Sequence, residues 1–152
     1  MVESVEQHYG NDGIVDRIVG ALTQSGFDMG SLDPDVLAGA DEFHIGGREG
    51  TAHVASAIDL ADGDALLDVG CGIGGAARYL ARTTGASVTG VDLTPEFIEA
   101  AIKLSDLVGM GGQVDFKVGS ATELPFMDNM FDAVTMLHVG MNIEDKNQLM
   151  RE

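Results

Sequence analysis

Basic residues are scarce in this chain, eight Lys and Arg against twenty-five Asp and Glu, for a formal net charge of -17. Such a field repels phosphate backbones and argues against nucleic acid as a partner. It favours neutral or cationic small molecules, and it keeps a small protein soluble. Cysteine is nearly absent: a single thiol, Cys71, excludes an internal disulfide framework and fits a reducing compartment, the cytoplasm. No run approaches the ~20 apolar residues of a membrane span. The opening segment Met1-Val2-Glu3-Ser4-Val5-Glu6-Gln7 also lacks the basic and apolar regions of a signal peptide, so no membrane partner is expected. No second carboxylate or histidine pair has metal-ligand spacing, and no metal is expected. There is no internal repeat and no low-complexity tract. The apolar fraction of 45% is ordinary for a globular chain and argues against disorder.

What is present is organised around Ala65-Leu66-Leu67-Asp68-Val69-Gly70-Cys71-Gly72-Ile73-Gly74-Gly75. An apolar segment of strand length ends in a carboxylate, turns through glycines and enters the helical pattern Ala76-Ala77-Arg78-Tyr79-Leu80-Ala81. Glycine lets a ligand approach the backbone closely. The amides of the turn and of the first helical residues are expected to point outward and bind something polar. This is a nucleotide-type site on an α/β sheet, with Cys71 as a small buried filler inside the turn.

Ahead of that stretch, Asn11-Asp12 can cap a helix with Ile14, Val15, Ile18, Val19 and Leu22 on one face, ended by Gly26. Asp33-Pro34 reads as the start of a short second helix. The glycine turn at Gly46-Gly47 leads into a third, with Thr51, Val54, Ala55 and Ile58 on one face. After the central turn, a helix over 75–84 stops at Gly85, and the strand Ser87–Val91 ends in Asp92. Thr94-Pro95 opens a helix with Ile98, Ala101, Ile102 and Leu104 to Val108 inward. The strand 114–118 follows, then a strand at 131–137, then a helix capped by Asn142. Strands separated by helix-length segments imply right-handed βαβ units. The expected fold is α/β: a Rossmann-like, doubly wound parallel sheet with helices on both faces and strand order 3-2-1-4. Residues 1–60 form a helical lid or cap, and 61–152 a cofactor-binding core. Because such sheets usually have more strands, the chain reads as C-terminally incomplete. Strand four is then an exposed edge through which a homo-oligomer can form.

Gly70, Gly72 and Gly75 satisfy G-x-G-x-x-G, and Asp92 lies 22 residues after Gly70, so a dinucleotide such as NAD, with an oxidoreductase activity, is open on spacing alone. Asp68 weighs against it, because a carboxylate two residues before the first glycine would face a pyrophosphate. The same carboxylate suits S-adenosylmethionine, which carries an ammonium and a sulfonium. Asp92 at the end of strand two can accept both ribose hydroxyls.

Three motifs stand together: 67–75, then Val88-Thr89-Gly90-Val91-Asp92-Leu93, then Gly119-Ser120-Ala121-Thr122-Glu123-Leu124-Pro125-Phe126, followed by Phe131-Asp132 and Leu137-His138. With them the sequence resembles the class I S-adenosylmethionine-dependent methyltransferases. It is most similar to the small-molecule group of sarcosine/dimethylglycine and phosphoethanolamine N-methyltransferases and quinone and tocopherol C-methyltransferases. The resemblance implies S-adenosyl-L-methionine as cofactor and S-adenosyl-L-homocysteine as product. It places Asp68, Gly70, Gly72 and Gly74 at the methionine and ribose end, Asp92 on the ribose hydroxyls, and Leu93 against the adenine. Ala121 offers its N–H to the adenine, and Ser120 stands where the family commonly has Asp. It also implies a His138 base at the end of strand four and a Tyr9 in a segment that closes over the site. The acceptor is expected to be a small molecule, an amine first and a quinol or phenol (C- or O-methylation) second. A cofactor-binding fragment without catalysis is a third reading. His8, His44 and His53 read as surface or satisfied-core residues.

Overall fold

The central segment forms the centre of the molecule. In the computed structural model, which describes residues 13–42 and 44–152, β1 (Ala65–Val69) has a strand on each side. Both of its faces are covered, with Leu66 0% and Leu67 2% exposed, which is why the strand reads as an unbroken apolar run rather than an alternating one. β2 (Ser87–Asp92), β3 (Val114–Val118) and β4 (Ala133–Thr135) complete a four-stranded parallel sheet in the order β3-β2-β1-β4, as expected. The register sets Asp68 opposite Gly90 on one side and Thr135 on the other.

The helices begin and end largely where the capping chemistry put them. α1 spans Ile14–Gln24, and Asn11 and Asp12, proposed as its cap, lie outside the described residues. Asp33 caps a 3-10 turn, Pro34–Leu37, by accepting the Asp35 N–H at 2.9 Å. The chain continues into the short α2 (Ala38–Asp41) and then α3 (Gly47–Ala57). α4 (Gly75–Thr84) is closed by Gly85, and α5 (Pro95–Leu107) starts after Thr94. A short α6 covers Lys146–Leu149. No helix among the described residues is long and apolar enough to cross a membrane.

Two apolar clusters lie on opposite faces of the sheet. The larger joins Leu66 and Val88 to Ile73 and Leu80 of the turn and α4 and to Leu104 of α5. Leu22 and Leu37 of the N-terminal segment enter the same cluster. The smaller is built on Leu67, Val69 and Val91 and is covered by Leu124, Phe126 and Phe131 of the connection between β3 and β4, and by Met136.

Three details depart from the sequence reading. β4 keeps only three of the seven residues expected of it, because it has one neighbour and the ladder lasts only while it faces Leu66, Leu67 and Asp68. The final helix starts after Asp145, whose Oδ1 accepts the Gln148 N–H, rather than after Asn142, which closes a 3-10 turn (Gly140–Asn142). Both are residues with cap chemistry, and sequence alone did not rank them. Ile102, assigned to the inner face of α5, is 44% exposed.

Candidate functional site

At the carboxyl ends of the strands, where ligands of open α/β sheets bind, lies a cleft of about 790 Å³. Gly70 and Gly72, Asp92 and Leu93, Ser120 and Ala121, and His138 all line it. Asp68 and Gly74 do not. Tyr9 lies outside the described residues.

The turn after β1 is built differently from expectation. The Gly70 and Cys71 amides both donate to the Val91 carbonyl, at 2.7 and 3.1 Å, the Gly72 amide donates to Asp92 Oδ2 at 3.0 Å, and the Gly74 amide to the Cys71 carbonyl at 2.9 Å. These four donors face inward and are not free to cradle a phosphate. What the turn offers a ligand is bare backbone. Gly72 has φ +53°, and a Cβ placed there would meet nothing within 4 Å. Gly74 is glycine for packing: a Cβ there would stand 2.7 Å from the Phe116 ring and 2.8 Å from Arg78.

Asp92 is held by two backbone donors, Gly72 N–H on Oδ2 and Thr94 N–H on Oδ1 at 2.9 Å. A carboxylate has about four lone-pair sites, so acceptor capacity is left over for ligand hydroxyls. Beside it, Leu93 is 72% exposed and presents an apolar side chain to the cleft. Across from it, the Ser120 hydroxyl is paired with the Thr122 hydroxyl at 2.9 Å and accepts the Thr122 N–H at 3.2 Å.

Asp68 sits below the turn. Its Oδ1 accepts from the Thr135 hydroxyl at 2.9 Å, and its Oδ2 is buried with no hydrogen-bond partner among the described residues. Burial pushes its pKa from 3.8 up to about 6, against the lowering effects of the Thr135 hydrogen bond and the charge of His44, while Asp92 raises it further. A buried carboxylate oxygen without a donor calls for one. Burial likewise pushes the Cys71 thiol up, so that sulfur is a packing group, as read from the sequence.

A buried guanidinium braces this side of the site. Arg78 donates to Asp41 at 2.6 Å, to the Ile73 carbonyl at 2.9 Å, to the Ser105 hydroxyl at 3.0 Å and to the Ala101 carbonyl at 3.3 Å. Desolvation raises the Asp41 carboxyl in spite of Arg78.

His138 follows β4 with φ +57°, a backbone region that non-glycine residues rarely adopt. Its ring stacks on that of His44, with centroids 5.4 Å apart and planes 5° apart. His44 is therefore a cleft residue rather than a surface or plain core histidine. The sequence signal for it was weak, because its neighbours Glu42 and Thr51 come together only in the fold. Phe97, Glu144 and Asp145 also line the cleft and were not singled out beforehand.

Over residues 67–152 the sequence matches the methyltransferase domain family. The chain belongs to that family. Among its methyltransferase relatives, phosphoethanolamine N-methyltransferase 3 of Arabidopsis thaliana is 37% identical over 106 residues, 70% of this chain and 21% of that protein. The probable chloroplastic tocopherol O-methyltransferase of Oryza sativa subsp. japonica is 42% identical over 87 residues, 57% of this chain and 24% of that protein. The solved structure of Haemonchus contortus phosphoethanolamine N-methyltransferase 2 in complex with S-adenosyl-L-methionine superposes with a TM-score of 0.64 at 30% identity, covering 68% of this chain and 24% of that one. The chain thus spans about a quarter of the length of these methyltransferases.

Proposed function

We propose that this methyltransferase-family chain binds S-adenosyl-L-methionine in the cleft and directs its methyl group to a small molecule, an amine nitrogen in the first instance. The observation that carries the reading is the pairing of Asp92, held by two amides with acceptor capacity to spare, with a glycine turn whose amides are bonded inward. A diphosphate needs free N–H donors, and this turn withholds four of them. A ligand with ribose hydroxyls and a cationic end needs acceptors and bare backbone, which the turn supplies. This also disfavours the NAD reading that the glycine spacing left open.

The residues fit the cofactor at each end. Asp92 would accept from the ribose hydroxyls, and Leu93 would lie along the adenine. The Ala121 N–H and the Ser120 hydroxyl would meet the adenine edge. Gly70 and Gly72 would line the methionine chain, and the orphaned Asp68 Oδ2, buried behind the turn, would reach the ammonium through water. When bound, S-adenosylmethionine supplies an electrophilic methyl group on sulfur. The protein's part is to align the acceptor, exclude water and remove a proton from it. Among the described residues neither ring nitrogen of His138 has a hydrogen-bond partner, so either can take that proton. Glu144 and Asp145 at the rim favour a cationic acceptor.

Calorimetric titration with S-adenosylhomocysteine tests the cofactor assignment, and stabilisation by NADH but not by S-adenosylhomocysteine would overturn it. Transfer of labelled methyl is then followed to a cationic amine, ethanolamine, and, separately, to a hydroquinone. Labelling of the hydroquinone alone would replace the amine assignment by C- or O-methylation.

Three further parts of the reading rest on lesser observations. The N-terminal part of the chain, whose Asp41 and His44 line the cleft, acts as the cap over the acceptor. The β4 edge, where Val134 is 59% exposed, pairs with a second copy, which sedimentation at several concentrations would detect. The single buried thiol suits a cytoplasmic location.

A further inference from the structure

The two histidines of the cleft are held in opposite ways. Both ring nitrogens of His44 lie against protein oxygens: Nδ1 is 3.3 Å from the Ile45 carbonyl, and Nε2 is 3.0 Å from the Thr51 hydroxyl. The Thr51 hydroxyl donates to Glu42 Oε2 at 2.7 Å, which leaves its lone pairs to accept from His44 Nε2–H. Glu42 in turn has Arg48 Nε 2.9 Å away, and the Arg48 guanidinium lies 4.4 Å over the Tyr79 ring of α4. Thr51 is 0% exposed. The His44 ring is therefore tied through the buried Thr51 and Glu42 to α3, and beyond them through the half-buried Arg48 to α4.

His138 has the reverse arrangement. Its backbone is fixed, with φ +57° and with the next residue, Val139, packed against Gly70. Its ring nitrogens are not engaged among the described residues, and its exposed ring stacks in parallel on that of His44. A face-to-face contact orients a ring without using its edge, where both nitrogens lie.

We propose that His44 is a positioning residue for His138: anchored through Thr51 to Glu42, its imidazole fixes the plane of the His138 ring so that a ring nitrogen faces the methyl acceptor. This rests on the reading of His138 as the proton acceptor given above. The flat face orients His138, while the Thr51 tie only places the His44 ring: phenylalanine gives up that hydrogen bond, with Thr51 still donating to Glu42, but keeps the face, and alanine loses both. Misplacing a reacting group by about 1 Å can cost as much as ~100-fold in rate, so removal of one face contact should cost about tenfold.

The test compares His44→Ala and His44→Phe in the full chain. In imidazole-detected NMR, His44→Ala should move the ring-proton signals of His138 while those of His53 stay in place, and His44→Phe should hold His138 near its original position. With ethanolamine as probe acceptor, His44→Ala should lower kcat about tenfold at unchanged KM, and His44→Phe should recover most of it. His138 signals that do not move, or a loss of kcat that phenylalanine does not repair, would overturn the proposal. If the wild-type chain transfers no methyl group to any amine, the assignment of His138 as base fails, and the NMR comparison alone decides whether His44 orients the ring.

Discussion

On the side of the cleft formed by β1 and β2, the atoms that would meet a ligand are fixed by main-chain hydrogen bonds. The Val91 carbonyl holds the Gly70 and Cys71 amides, and the Gly72 and Thr94 amides hold Asp92. On the side beyond β4 the strand is three residues long, and the groups facing the cleft are side chains from loops and short turns. Exposed Val134 and Met141 lie on that side. The first side is built to present one ligand geometry. The second is set by side chains, and these can change without disturbing the sheet.

The largest expected effect breaks the first side. Asp92→Ala removes the proposed acceptor for two ribose hydroxyls, and charge-assisted bonds of this kind are worth ~1.5–3 kcal/mol each. Calorimetry should find S-adenosylhomocysteine bound roughly 10³-fold more weakly, about 4 kcal/mol. A change of less than fivefold would remove Asp92 from the site.

Asp68→Asn comes next and acts on stability. With its pKa raised from 3.8 to about 6, the folded protein keeps a proton there that the unfolded chain has already released. Stability therefore falls as pH rises through that window, by about 3 kcal/mol from this group. The asparagine variant has no such loss. The stability difference between the two proteins, from urea melts, should grow in the variant's favour between pH 4 and 7. Parallel curves would mean that the folded carboxyl titrates no higher than the unfolded one.

Gly70→Ala probes the seam between the two sides. A Cβ at Gly70, where φ is +74°, would stand 2.3 Å from a Val139 methyl carbon. The crowding should cost about 2 kcal/mol, seen as a lower melting temperature, and Val139→Ala in the same chain should restore part of it. Purely additive losses would show that the strain is in the backbone alone.

Ser120→Asp is the smallest change and sharpens the first side. A carboxylate accepts more strongly than a hydroxyl, and the gain in S-adenosylhomocysteine affinity should be about fivefold, ~1 kcal/mol.

The first side was the more readable in sequence, for a physical reason. A strand covered on both faces writes itself as an apolar run, its glycines mark a close turn, and the acid ending β2 is placed by its own strand. Each of these signals is local. The Cys71 and Gly72 amides were misjudged because their acceptors, Val91 and Asp92, belong to the neighbouring strand. His44 was missed for the same reason, since its meaning depends on Thr51, Glu42 and His138. The length of β4 was overestimated because apolar patterning does not record that a strand has one neighbour.

Arg78 joins stretches that are far apart in the chain: Asp41 before the sheet, Ile73 in the turn, Ala101 and Ser105 in α5. With its charge buried, breaking the Asp41 arm of this clamp leaves an unpaired ion in a dry interior. The stretch that ends at Asp41 is therefore held against the turn and α5 rather than hung like a door. With His44 also tied to the buried Thr51, any breathing of the cleft falls to the far side beyond β4. Entry and exit of a ligand would leave the glycine turn and its clamp at rest.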